Sequence, residues 1–263
     1  MIGPIIGDIA GSRFEFNNYR HKDFEMFSRK CFFTDDTVMT LAVAKAIVSC
    51  KGDYGSLSKI AADCMHEVGR RYPHCGFGGM FWKWMFGSNP RPYNSFGNGS
   101  AMRVSPCGFF GKTMDEVKEL SEKVTCVTHN HPEGIKGAEA TAVCIFLARE
   151  GKDKEYIRQY INDHYYKLDF TIDEIRASYE FNETCQETVP QALECFLEST
   201  DFEDCVRTCI SLGGDCDTSA AIACGIAEAY YGVPDDMRKS AEKYLDSYLL
   251  GILREAEAAL QDL

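Results

Sequence analysis

No stretch of this sequence reaches the roughly 18–20 apolar residues that a membrane-spanning helix needs, so no membrane partner is expected. The start, Met1-Ile2-Gly3-Pro4-Ile5-Ile6-Gly7-Asp8, has no basic residue ahead of its apolar stretch and soon meets an acid, which argues against a secretory leader. Basic residues are scarce: 28 Lys and Arg stand against 40 Asp and Glu, for a net charge of −12. That balance excludes nucleic acid as the main partner, because neutralising phosphates takes clustered Lys and Arg; a local site for a small phosphate ligand stays open. The 13 cysteines include no C-x-x-C pair and no Cys/His spacing suited to zinc. Cys64, Cys126, Cys144, Cys205, Cys209 and Cys224 fall in apolar helical patterns, where thiols serve as small hydrophobes, as expected of reduced structural cysteines in a cytoplasmic protein. With 45% hydrophobic and 26% charged residues, the composition is that of a folded chain and not of a disordered one.

Runs of alternating strand residues are also missing, and helical periodicity takes their place. Leu57, Ile60, Ala61, Cys64, Met65 and Val68 form one stripe, and Val189, Ala192, Leu193, Phe196 and Leu197 form another. Phe202, Cys205, Val206, Cys209 and Ile210 form a third. Thr113-Met114-Asp115-Glu116 and Thr171-Ile172-Asp173-Glu174 have the form of capping boxes, and residues 36–50, 132–150, 153–165, 217–231 and 236–262 read as further helices. The expected fold is all-α. No linker, repeat or low-complexity tract divides the chain, so one domain over 1–263 is the economical reading. The long loops at 11–34, 72–79 and 87–99 are uncommon in a compact helical domain unless they serve a function.

Three acidic segments carry the chemistry. They are Gly7-Asp8-Ile9-Ala10-Gly11-Ser12-Arg13-Phe14-Glu15, Phe33-Thr34-Asp35-Asp36-Thr37, and Gly213-Gly214-Asp215-Cys216-Asp217-Thr218. The second and third each crowd two carboxylates and a threonine at the start of an apolar helix. Capping and the helix dipole account for one Asp at such a place, but not for two. Carboxylates carried against a core need a partner, and no Lys or Arg adjoins either cluster. A hard cation resolves the conflict, since Asp and Thr oxygens suit Mg²⁺ or Mn²⁺. Four or more carboxylates over-neutralise a single divalent ion, which makes a pair of ions plausible. The run Ser95-Phe96-Gly97-Asn98-Gly99-Ser100-Ala101-Met102-Arg103 offers glycine-freed amides for phosphate and an aromatic face for a base, or else is a plain capped loop. Thr128-His129-Asn130-His131-Pro132 adds two imidazoles before another helix, while Trp82 and Trp84 read as packing residues.

Taken together and in this order, these segments resemble the ADP-ribosylglycohydrolase family, which includes dinitrogenase reductase-activating glycohydrolase and the ADP-ribosylarginine hydrolases. The match runs from Gly7-Asp8 to Tyr231-Gly232 and rests on the two Asp/Thr segments, Gly97-Asn98-Gly99 with Met102-Arg103, and Thr128-His129. The resemblance implies an all-α fold with a binuclear Mg²⁺ or Mn²⁺ centre. Thr34, Asp35 and Asp36 would be ligands from one side, and Asp215, Asp217 and Thr218 from the other. It places Glu15 near the metals, and it assigns Ser95, Phe96, Gly97, Asn98, Gly99, Ser100, Met102 and His129 to ADP-ribose. The implied reaction is hydrolysis of the glycosidic bond in ADP-ribosylated protein, arginine-linked first, with serine-linked or small-molecule adducts as alternatives. Glu15 is the favoured general base because a metal-held Asp is fixed in its ionised form; Asp35 and Asp217 are the other catalytic candidates. A silent ADP-ribose-binding or structural homologue is disfavoured by the presence of Asp35, Asp36, Asp215 and Asp217 together. An Asp-based phosphohydrolase is disfavoured by the absence of a strand pattern to carry its aspartate.

Overall fold

The computed structural model describes residues 1–262, and every regular element among them is a helix; the one departure is an isolated antiparallel bridge between Gly97 and Thr184. The helix Cys216–Tyr231 lies at the centre and packs against Gly3–Gly11, Pro132–Arg149, Cys185–Glu198 and Phe202–Leu212. Its composition explains the place: Ala220, Ala221, Ala223, Cys224, Gly225 and Ala227 present small side chains, so neighbours can approach on several sides.

The closest of these approaches sets up the acidic site. Gly3, Gly7 and Gly11 recur every four residues and so line one face of the first helix. Added Cβ atoms there would lie 2.4 Å from the Cys224 carbonyl oxygen, 2.4 Å from the Ala220 carbonyl and 2.5 Å from the Asp217 Cα. The pairing is antiparallel, and at one end Glu228 accepts hydrogen bonds from the amides of Ile2 and Gly3. At the other end it brings Asp8 towards Asp217. Gly7→Ala forces the two backbones apart, and overpacking of this kind costs about 1–3 kcal/mol. Denaturant unfolding should register that loss; unchanged stability would show that the contact is slack.

Most helices expected from the pattern are present. The stripe from Leu57 forms Leu57–Gly69, and the segments expected at 36–50, 132–150, 153–165 and 217–231 form Asp35–Ser49, Pro132–Arg149, Lys154–His164 and Cys216–Tyr231. Two expectations need correction. The C-terminal segment is not one helix over 236–262: Asp235–Ala241 passes into a short 3₁₀ turn, Leu245 is extended, and Asp246 caps a new helix, Ser247–Gln261, by accepting from the amides of Tyr248 and Leu249. Thr113 forms half a capping box, because the Glu116 carboxylate turns to the amide of Lys112; at Thr171 the box is complete.

All 13 cysteines are unpaired; only Cys75 and Cys126 are other than buried. Trp84 is buried, but Trp82 is 47% exposed and packs only in part. No helix of the described residues is long and apolar enough to cross a membrane.

Candidate metal centre and ligand cavity

Local chain chemistry places each acid. Thr34 is extended and caps Asp35–Ser49, accepting from the Asp36 amide at 3.3 Å, so Asp35 and Asp36 fall in the first turn, where the helix dipole favours negative charge. Asp215 stands at the N-cap of Cys216–Tyr231 without capping it by its side chain, after Gly213 and Gly214, both at positive φ, have turned the chain. Asp8 lies inside the first helix and is fully buried. Its carboxylate accepts from the Thr34 hydroxyl at 2.7 Å, the Thr34 amide at 2.9 Å, the Thr37 amide at 3.1 Å and the Thr37 hydroxyl. It thereby ties the first helix to the start of the second.

The two Asp/Thr segments converge. Carboxylate oxygens of Asp8, Asp36 and Asp217 lie within 4.8 Å of one another, and so do those of Glu15, Asp215 and Asp217. Asp217 belongs to both groups, so two adjacent trios share one carboxylate. Thr218 donates to Asp36 Oδ2 at 3.2 Å, and Asn98 donates to Asp215 Oδ2 at 2.6 Å. Asp35 stands apart from both trios on the cavity wall, close to Gly76, where an added Cβ would lie 2.9 Å from its Oδ1.

None of the ion pairs among the described residues involves any of these six acids. Buried Asp36 Oδ1 has no hydrogen-bond partner at all. A buried carboxylate oxygen without a donor is costly, and all the oxygens facing it are hard ligands, so the residues present fit divalent cations such as Mg²⁺ or Mn²⁺. The acids' proton affinities record the same strain. Burial pushes Asp8 up to about 6, Glu15 to about 7 with help from the Asp215 charge, and Asp35 to about 8 with help from Asp8. Burial and neighbouring carboxylates raise Asp36 and Asp217 well above the ordinary range.

These shifts fix a sign. The folded cluster holds protons that the unfolded chain releases near pH 4, so its contribution to stability is fully present below that pH and is lost as pH rises through about 6 to 8. In chelator, the melting temperature should therefore fall between about pH 5.5 and pH 8.5, whereas added Mg²⁺ should raise it more at the higher pH, because the ligands must be deprotonated. A metal-free melting temperature that climbs over this window would contradict the assignment.

All of these acids but Asp8 line a cavity of about 770 Å³, a size that suits a nucleotide-class ligand. Its walls include Tyr93, Ser95, Phe96, Gly97, Asn98, Gly99, Met102, Arg103 and His129, alongside Glu15, Thr34, Asp35, Asp36, Asp215, Asp217 and Thr218. The glycine-rich segment is pinned by its bridge to Thr184, with Asn98 N donating to the Glu183 carbonyl at 2.7 Å and Cys185 N to the Phe96 carbonyl at 2.9 Å. Phe96 remains 42% exposed beside His131. Ser100 does not reach the cavity: it is fully buried, and its hydroxyl donates to the Gly134 carbonyl at 2.8 Å.

Sequence reasoning gave no role to several residues that the fold brings here. Asp8 carried a signal, an acid embedded in the apolar, glycine-spaced helix Gly3–Gly11. Arg103 carried one in its place directly after the glycine-rich run. Glu183, Tyr93 and Gly76 carried none, because they arrive from distant loops.

Architecture and site define a class: an all-helical protein with a carboxylate-lined centre beside a glycine-rich cavity wall. The chain belongs to the ADP-ribosylglycohydrolase family, whose pattern it matches over residues 1–261. It is similar to the human ADP-ribosylhydrolase ARH3, with 25% identity across 95% of this chain and 90% of the relative. It is also similar to the ADP-ribosylarginine hydrolase Tri1 of Pseudomonas putida (28%; 89% and 70%) and to the ADP-ribosyl-[dinitrogen reductase] glycohydrolase of Rhodospirillum rubrum (26%; 77% and 70%). A solved structure titled ADP-ribosylglycohydrolase-related protein complex shares the fold, with a TM-score of 0.70 at 21% identity over 97% of this chain and 95% of that one.

Proposed function

We propose that the protein is a metal-dependent hydrolase that cleaves the glycosidic bond of arginine-linked ADP-ribose on modified protein and releases ADP-ribose. The observation that carries this reading is the pair of carboxylate trios sharing Asp217 on the floor of a cavity walled by the glycine-rich segment and His129. Thr34, Asp35, Asp36, Asp215, Asp217 and Thr218 would hold two cations, Mg²⁺ or Mn²⁺, with Asp8 positioning Thr34 from behind. When bound, such ions supply polarisation of oxygens at the reacting centre.

The chain's own groups account for the rest. Glu15 is half-buried on the cavity wall, makes no hydrogen bond among the described residues, and has its pKa raised to about 7. That value belongs to the metal-free protein; cations beside Asp215 and Asp8 would lower it, leaving an ionised carboxylate able to accept a proton. Glu15 takes a proton from water as the water oxygen bonds to the anomeric carbon and the bond to the leaving group breaks, through a state of oxocarbenium character. Glu15 and Glu183 both line the cavity, an acidic setting that favours a substrate whose cationic guanidinium departs as neutral guanidine, the bonding pair going to its nitrogen, over a neutral alcohol-linked one. One of the relatives named above is an ADP-ribosylarginine hydrolase, in keeping with that preference.

Parallel hydrolysis of arginine-linked, serine-linked and small-molecule ADP-ribose adducts, with Mg²⁺, with Mn²⁺ and with chelator, tests the reading. The arginine adduct should turn over fastest and stop in chelator. Faster serine or small-molecule turnover would reassign the linkage, and activity in chelator would remove the metal. Phe96→Ala should weaken ADP-ribose binding by about 5- to 150-fold, the range that stacking of a base on an aromatic face provides, as read by calorimetry. Unchanged affinity would place the base elsewhere in the cavity.

A further inference from the structure

His129 is 4% exposed, with its Nε2 edge towards the glycine-rich wall: added Cβ atoms on Gly97 and Gly99 would lie 3.6 Å and 3.5 Å from Nε2. Behind the ring, Arg103 is a buried guanidinium, 1% exposed and stacked over the Phe81 ring at 5.2 Å. Its Nη2 donates to the Thr128 hydroxyl at 2.6 Å, and that hydroxyl lies 2.7 Å from His129 Nδ1. Arg103 Nη2 also lies 3.4 Å from the same Nδ1.

A guanidinium has hydrogens only to give, so Arg103 fixes the polarity of everything after it. The Thr128 oxygen accepts from Arg103. Its single hydrogen then goes to the one acceptor within reach among the described residues, His129 Nδ1. A hydrogen on Nδ1 would instead face the N–H of Arg103 and leave the fully buried Thr128 hydroxyl without an acceptor. Nδ1 is thus an acceptor, and in the neutral ring the hydrogen resides on Nε2.

We infer that Arg103 and Thr128 are positioning residues that lock His129 as a neutral Nε2–H donor aimed into the cavity beside Gly97 and Gly99, so that His129 recognises an acceptor oxygen of the ligand and does not transfer protons. The ligand part of this inference rests on the ADP-ribose reading given above. Burial and the Arg103 charge both hold the ring's pKa well below its ordinary value, which favours the same neutral form. Arg103 thereby acts on the ligand through Thr128 and His129.

The tautomer is read by ¹H–¹⁵N NMR of the ligand-free protein near neutral pH, with His129 assigned by substitution. The expected pattern is an unprotonated, hydrogen-bonded Nδ1 and a protonated Nε2; a proton on Nδ1, or an imidazolium, overturns the inference. Thr128→Val removes one donor and should shift the Nδ1 resonance and weaken ADP-ribose binding by about tenfold, the size of one buried hydrogen bond, with Thr128→Ser restoring both. A folded Thr128→Val protein with the wild-type Nδ1 resonance and affinity overturns the inference. A second pair of variants does not depend on Thr128: His129→Gln, whose amide N–H reaches the Nε2 position, should bind ADP-ribose more tightly than His129→Asn, and the reverse order overturns the donor assignment. Should the wild type bind no ADP-ribose, the functional reading and the ligand role fall together, while the tautomer measurement stands apart from both.

Discussion

Asp217→Asn should raise the melting temperature of the protein in chelator and abolish the rise produced by Mg²⁺ or Mn²⁺. Asp217 is the carboxylate common to both trios, and Asp215, Asp36, Glu15 and Asp8 all raise its pKa. The amide keeps the shape and can still accept from the Thr218 amide, now at 3.0 Å. What disappears is the cost of a buried carboxyl among carboxylates, which either repels its neighbours or takes up a proton that the unfolded chain releases, and each kcal/mol recovered is worth about 2–4 °C in a chain of this size. The same charge holds both cations, so metal-dependent stabilisation and turnover should vanish together, turnover by more than about 100-fold. A simple loss of folding contacts predicts destabilisation in both media. Opposite signs in chelator and in metal therefore separate a metal site from a structural acid cluster, and a variant less stable than wild type in chelator would contradict the reading.

Glu15→Gln should behave differently. Glu15 comes from the long loop after the first helix, and it makes no hydrogen bond among the described residues that the amide would disturb. At least one cation and ADP-ribose binding should be retained, while turnover falls by about 10²- to 10⁴-fold, the contribution of a general base. Excess metal should rescue a weakened ligand variant in part, but not Glu15→Gln. Near-wild-type turnover at saturating metal would pass the role of base to one of the metal-held carboxylates, Asp35 or Asp217.

Much of this arrangement was legible in the chain. Helical periodicity, Thr and Asp caps and the lack of strand alternation gave the all-α class, because those signals are local. The excess of carboxylates over what capping needs at Asp35-Asp36 and Asp215-Asp217 pointed to a cation for a reason internal to each segment. Their meeting was implied by the family resemblance but not legible in the local pattern, since it depends on how closely the first helix crosses Cys216–Tyr231. Gly3, Gly7 and Gly11 recorded that closeness, but glycine spacing does not name its partner helix. Asp8 was missed as part of the cluster for the same reason. Glu183 reaches the cavity only through the pairing of its loop with Phe96-Gly97-Asn98, a long-range backbone contact with no signature in sequence. Ser100 reads as a ligand residue from its place in the glycine-rich run; a helix of four residues, Gly99–Met102, turns its hydroxyl inward to the Gly134 carbonyl instead.

The central claim is that the two Asp/Thr segments hold a pair of cations beneath the ligand cavity. Crystals grown with Mn²⁺ and measured at the manganese absorption edge test it most directly. Two anomalous peaks about 3.5–4 Å apart, ringed by oxygens of Thr34, Asp35, Asp36, Asp215, Asp217 and Thr218, are the predicted result. A map at saturating Mn²⁺ with no peak among these residues would contradict the account.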